Sequence, residues 1–479
     1  MKKNFSTIGL GIITLMLVVS CANEASEVSV PKGKVETVAN PFAISETVAI
    51  ERASALMDKT VESVSAEGRL VKTVSVYTRS SGQGSNRQAS VSTKNYSVKI
   101  EELSGAEKEV RQEIPVFTVN FKDGQGKDTG YAVMVGDERI SSNVLIYSDG
   151  EEGKFDMEER DDAEFLNDRI AGYLYYKLNF GEQDNSVVTR ALKPDPQPTG
   201  ETDWKFSYFI VFGKNDPYNK YTPYVYGSKT HPGSTAIAMG EIMAWHQWPK
   251  QGKYPRFTYS TQPTPVDYLA DYSLTSSALI DLQSNVPITI LGNSAATEYV
   301  ANLLAETGYR LNSYFGVIET YALPTGVPTV FGYMGYYTDG LSAFNYDTIE
   351  YDIITREQPV YMCGYMFGSG AAYNAHYSYV IYGVRHKPVG SNIDLFMLLF
   401  DGLNGTGQVT YPTLGAWFHE ALFSTDNNPS PNPVYGYYSS YMFNYYCKMV
   451  TNIRPNYGNN GSTNPAEKVN NGYPYMNYY

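Results

Sequence analysis

The first third of the sequence predicts an α+β unit, and two patterns carry that expectation. Glu46 to about Gly68 has a helical apolar pattern, with Val48, Ala49, Ala53, Leu56 and Met57 recurring at helical spacing. Alternating segments follow at Leu70–Tyr77, Tyr96–Leu103, Pro115–Phe121, Gly130–Val135 and Asn143–Tyr147, parted by turns rich in Gly, Asp and Ser. They predict a small antiparallel sheet with a helix. A third observation lies further on. His231 to Pro249, HPGSTAIAMGEIMAWHQWP, has a Pro-Gly turn opening into a helix that stops before Pro249. That helix is apolar on most sides and rich in small residues, as in a buried helix that neighbours approach closely. Ser234 or Thr235 is the expected N-cap. A hydroxyl at the start of a buried helix also has the positive end of the dipole and unpaired N–H groups beside it, which favour a nucleophile and an oxyanion.

The chain opens with Met1-Lys2-Lys3, an apolar run from Ile8 to Val19, and Ser20-Cys21. A charged start, a short apolar stretch and a small residue before the cut predict a lipoprotein signal peptide over 1–20, with Cys21 as the lipidated residue. Ala22-Asn23 favours the outer membrane, periplasmic or cell-surface facing. Residues 21–45 are polar and read as a tether. Asp156 to Asp168 is charged and helical, continued by Ala171 to Phe180. The Pro-rich RALKPDPQPTGE marks a linker over 181–203. A net charge of −13 and a pI near 5.0 argue against nucleic acid as a partner. Besides Cys21 only Cys363 and Cys447 remain, enough for one disulfide and too few for a disulfide framework or a metal site. No cofactor is expected.

Several segments together resemble the streptopain family, the bacterial papain-like cysteine peptidases of family C10. In the helix, Gly233, Ile242, Met243, Trp245, His246, Trp248 and Pro249 fit the family's nucleophile helix. Phe212 to Asn219 resembles a loop that supplies an oxyanion-binding Gln. Leu303 to Gly308 resembles the second helix, Gln358-Pro359-Val360-Tyr361 the strand before the histidine, and His376 to Gly383 the histidine strand. Tyr131–Arg139 and Leu145–Ser148 resemble strands of the family's propeptide, or inhibitor-like, domain. The resemblance implies a propeptide-like α+β domain at 46–180, a papain-like domain at 204–455 and an Asn/Tyr-rich tail at 456–479.

The same alignment shows departures. Ser234 stands where the family has its nucleophilic Cys, and Lys214 where it has the oxyanion Gln. Anchored on Val380 and Gly383, the general-base position is Tyr377, with Tyr382 at the Asp position. His376 falls one residue early, a possible rescue base only if a bulge returns it to the cleft. Phe400 to Leu403 replaces a Trp-Gly wall. A Tyr, with an ordinary pKa of ~10, is a poor general base near neutral pH. The resemblance with these departures implies a degenerate peptidase, anchored to the membrane through lipid. Its cleft would hold a peptide or protein ligand, or its own propeptide-like domain. The alternatives are a hydrolase working through Ser234 with His376, and a protease inhibitor acting in trans through its N-terminal domain.

Overall fold

The structure, a computed structural model, describes residues 34–77, 87–148, 154–180, 200–249, 251–256, 264–269, 279–281, 286–287, 294–367, 376–400, 416–424 and 444–457, apart from gaps of one or two residues in loops. Cys21 and the signal segment lie outside the described residues, as do most of the linker and most of the tail.

Helix α1 (Glu46–Met57) is capped by Ser45, whose Oγ accepts from the Val48 N–H, and buries Ala49, Ala53, Leu56 and Met57. It is shorter than the pattern predicted. After Asp58 the chain turns into a strand, because Thr60, Val61 and Val64 are β-branched and favour extended backbone. The N-terminal strands are β1 (Lys34–Val38), β2 (Lys59–Glu67), β3 (Leu70–Tyr77), β4 (Gln88–Lys99), β5 (Lys108–Lys122), β6 (Asp128–Val135) and β7 (Val144–Ser148). Strand β1 corrects the tether expectation: Lys34 to Val38 pairs in parallel with Lys108 to Gln112 of β5. Helix α2 (Ala163–Asn179) confirms a helix in this stretch but begins later than its charges suggested, at Ala163.

Strand β8 (Glu201–Phe206) corrects the linker's end, since residues 201–203 belong to a sheet rather than a connection. Next come α3 (Ser234–His246), α4 (Ser294–Arg310), α5 (Val327–Tyr333) and α6 (Tyr346–Ile354). The C-terminal strands are β9 (Val360–Phe367), β10 (His376–Val389), β11 (Asn392–Phe400), β12 (Ala416–His419) and β13 (Asn444–Val450).

The expected α+β class holds, with one difference in organisation. The N-terminal and C-terminal strands form a single sheet, ordered β1-β5-β6-β7-β12-β11-β10-β9-β13, ending on a short strand at Leu341–Ala343. The seam is β7 against β12, where Tyr147 pairs with Trp417 and Ile146 with Phe418. Strand β8 forms a second join. It pairs with β3 on one side, from Leu70↔Phe206 to Ser75↔Glu201, and with β10 on the other, from Gly383↔Lys205 to His386↔Thr202. The buried apolar residues form one cluster spanning both regions. Among the described residues no helix is long and apolar enough to cross a membrane, and no group of His, Cys, Asp and Glu is arranged to hold a metal ion.

Candidate functional site

Helix α3 is at the centre of the site. Every residue from Ser234 to Trp245 is buried, as expected of a helix with apolar or small side chains all round. It packs against α4 on one side and β9 and β10 on another. Gly233 precedes it with φ of 84°, and a Cβ there would meet the Thr320 carbonyl oxygen at 2.9 Å. Only glycine satisfies the turn and the close approach together.

Gly233 is the N-cap, which corrects the expectation of Ser234 or Thr235. Ser234 is the first helical residue, 8% exposed, and no side chain caps the first turn. The helix end therefore keeps its N–H donors and its positive dipole end beside the Ser234 hydroxyl, the features an oxyanion site draws on.

The turn ahead of Ser234 is tied down by His231, which sequence reasoning treated only as a turn residue. Its N–H donates to the Gly316 carbonyl at 3.2 Å, and its own carbonyl accepts from Thr320 Oγ1 at 2.6 Å. Its Nδ1 donates to the Lys214 carbonyl at 3.1 Å. Lys214 thus lies beside the turn through its backbone, with a half-buried side chain. Glu241 is a second residue the sequence did not single out. Buried within α3, it accepts the Phe212 N–H at 2.8 Å and so docks the 212–219 segment on the helix. Burial and the Glu241 charge push the Tyr218 hydroxyl up to about 12, keeping it protonated. A carboxylate in an otherwise apolar helix was the available signal for this contact.

The faces of β10 decide what can meet Ser234. Ser378 looks toward α3: its Oγ lies 3.0 Å from Thr235 Oγ1 and 2.8 Å from the Tyr361 hydroxyl. Tyr377 is on the opposite face, where its ring centroid is 6.3 Å from that of Phe165 on α2. Tyr379 follows it, 6.1 Å from the same ring. Gly364, paired with Tyr377, leaves room for Phe165: a Cβ there would come within 2.1 Å of it.

Position 376 pairs with Tyr365, and the β9–β10 register runs unbroken from 376 to 381. By alternation, 376 shares the phase of Ser378 and not that of Tyr377. This corrects the expectation that His376 needs a bulge to share the phase facing the nucleophile helix. The bulge that does occur lies downstream, between Ile381 and Gly383 against β11. It takes up Tyr382, which is buried near Phe206. Residues 401–403 of the expected wall lie outside the described residues.

The two remaining cysteines are buried and free, rather than joined in the one disulfide their number allowed. The register explains it. Cys447 pairs with Gly364 and Cys363 with Lys448, so the two thiols occupy opposite phases of adjacent strands.

The model of the peptidase C10 family matches residues 212–388. Among solved structures, a mutant fragment of Prevotella intermedia prointerpain A is 15% identical with a TM-score of 0.41, over 74% of this chain and 98% of that one. Active wild-type interpain A from the same organism, a cysteine protease, is 16% identical with a TM-score of 0.32, over 54% of this chain and 98% of that one. No curated protein sequence matches the chain. The family match spans the loop that docks on α3, α3 itself and most of β10, and it makes this a streptopain-like chain of the peptidase C10 family.

Proposed function

We propose that this chain is a degenerate streptopain-like peptidase that binds a peptide or protein without hydrolysing it, held at the outer membrane by lipid on Cys21. The observation that carries the reading is the surroundings of Tyr377. At the aligned general-base position there is a phenol packed against Phe165 of the N-terminal region, where a peptidase needs a group that accepts a proton near neutral pH. Ser234 compounds the loss, because a serine hydroxyl is a weak nucleophile unless a base takes its proton. The thiols of Cys363 and Cys447 lie on β9 and β13, away from the start of α3. At Lys214 a flexible ammonium replaces a fixed amide donor, and losing one oxyanion donor alone costs a factor of ~10²–10³ in rate. The uncapped end of α3 remains suited to holding a carbonyl or carboxylate of a ligand. The propeptide-like region around α2 supplies one wall of the cleft.

One observation favours a second reading, an active hydrolase using Ser234 with His376: position 376 has the strand phase that faces α3. Purified 22–479 incubated alone and with unfolded casein, followed by intact mass spectrometry, separates the two. The degenerate reading expects both proteins to stay uncut, and cleavage to be gained by the triple variant Ser234→Cys, Tyr377→His, Lys214→Gln. Cleavage by the unaltered chain that Ser234→Ala and His376→Ala each abolish would overturn it in favour of the second.

A further inference from the structure

We infer that the N-terminal region is a permanent part of this molecule, so that a chain cut between 181 and 200 remains a two-fragment complex with α2 still in place. The inference stands on the packing between the regions and does not depend on whether the site hydrolyses anything. Four independent joins cross from residues 34–180 to residues 200–457.

The first two are strand pairings. Cutting before residue 200 would leave β8 with the C-terminal fragment, yet its whole length is paired to β3 of the N-terminal one. The β7–β12 seam adds a second ladder, at the middle of the long sheet. Release would open two sheet edges at once, leaving unpaired backbone groups that are prone to re-pair.

The third join is apolar. Phe165 fills the space above Gly364, and the Arg169 Nε donates to the Leu422 carbonyl at 2.5 Å. Tyr173 packs 6.2 Å from His419. On the far side of the molecule, the Arg69 guanidinium stacks 4.6 Å over Trp245 at the end of α3.

The fourth join is a buried charge cluster in which each region holds groups that the other neutralises or accepts from. Lys59 of β2 is ion-paired to Glu201 of β8. Arg385 of β10 lies 3.4 Å from the same Glu201 and 3.7 Å from Asp203, and donates to the Tyr147 hydroxyl of β7 at 2.8 Å. Its guanidinium also covers the Trp417 ring at 3.8 Å. Glu201, Asp203 and Arg385 are all buried, so the cluster has been taken out of water at the interface and must be matched there. A detachable region would be expected to meet its partner through a wetter and more polar surface, without a shared sheet. The joins described here resemble the interior of one domain instead.

The test places a rare-cutting protease site in the full chain between Asp184 and Thr199 and cuts it to completion. The nicked protein is then passed over a sizing column at micromolar and at nanomolar concentration, with light scattering to give mass. The expected result is co-elution at the mass of the uncut chain at both concentrations. In the nicked Gly364→Leu variant, whose added side chain must displace Phe165, the fragments are expected to separate at least tenfold more readily on dilution. Separation of the unaltered fragments at micromolar concentration, or co-elution only as high-mass aggregate, would overturn the inference. Casein cleavage is a separate readout, so a failure here leaves the functional proposal untouched, and the reverse also holds.

Discussion

The two faces of the β9–β10 pair are built by different physics. Toward α2, Gly364, Tyr377 and Tyr379 make an aromatic surface with a notch, and Phe165 fits into it. Toward α3, Tyr361 and Ser378 offer hydroxyls, and Thr235 meets them with another. The first face is held by apolar burial and shape, the second by a short buried hydrogen-bond chain. A single pleat separates the two, so the aligned base position and the helix that carries Ser234 are served by opposite sides of one strand. Sequence alignment assigns 377 to the family's histidine position, but the pleat determines what its side chain touches. In this chain that partner comes from the N-terminal region.

The comparison can be broken most severely at Phe165. Phe165→Ala removes the side chain that fills the notch, and large-to-small changes of a fully buried Phe cost about 3–5 kcal/mol. Urea denaturation followed by fluorescence should show the midpoint falling by that amount, with the slope unchanged if both regions unfold together. A loss below ~1 kcal/mol would mean that α2 does not depend on this face of the sheet. A separate early transition would mean that the regions are less unified than their shared sheet suggests.

A smaller effect is expected at the far end of α3. Burial, and then the nearby Arg69 charge, push His246 down to about 3 from its ordinary value of 6.5. The unfolded chain takes up a proton below pH 6.5 that the folded chain refuses. Stability is therefore fully present above pH 6.5 and is lost as pH falls toward 3. Between pH 6.5 and pH 5 the loss from this one group is about 2 kcal/mol. His246→Phe should remove that part of the acid slope, measured as the difference in urea midpoints at the two pH values. Equal slopes in the two proteins would show that the imidazole is protonated in the folded state.

Much of the α3 side was legible in the sequence, and the interface was much less so. A helix apolar all round has to be buried whatever surrounds it, so Ser234 to Trp245 could be placed from composition and its Pro-Gly turn. Its cap was misread because Ser234 is a good capping residue in isolation, whereas the φ of 84° and the contact with Thr320 give that role to Gly233. Strand β8 was hidden for a different reason. The positions it buries at 201 and 203 are carboxylates, so the usual alternation of apolar inside and polar outside is reversed. That pattern looks like linker until Lys59 and Arg385 are seen beside it. Strand β1 was hidden because Lys34 to Val38 is a short, largely exposed edge strand whose polar composition resembles a tether. The overrun of α1 into β2 came from Ser63 and Ala66, which suit either state, and was decided by the β-branched residues among them.

The smallest effect lies in the hydroxyl chain, and it sharpens the contrast between the two faces. Ser378 bridges Tyr361 and Thr235 in a site where all three residues are buried. Ser378→Ala removes the bridge while keeping the small volume, so no large cavity opens and the cost is that of a buried hydrogen bond, about 1 kcal/mol. Phe165→Ala on the other face should cost several times more, although the two residues act on opposite sides of neighbouring positions in one strand. Because Thr235 directly follows Ser234, the same variant also tests whether the hydroxyl chain fixes the start of α3. Amide hydrogen exchange in the first turn should quicken by about the factor of five that 1 kcal/mol allows. Unchanged exchange there, with stability still reduced, would mean that the turn built by Gly233, His231 and Thr320 holds the helix end without help from the sheet.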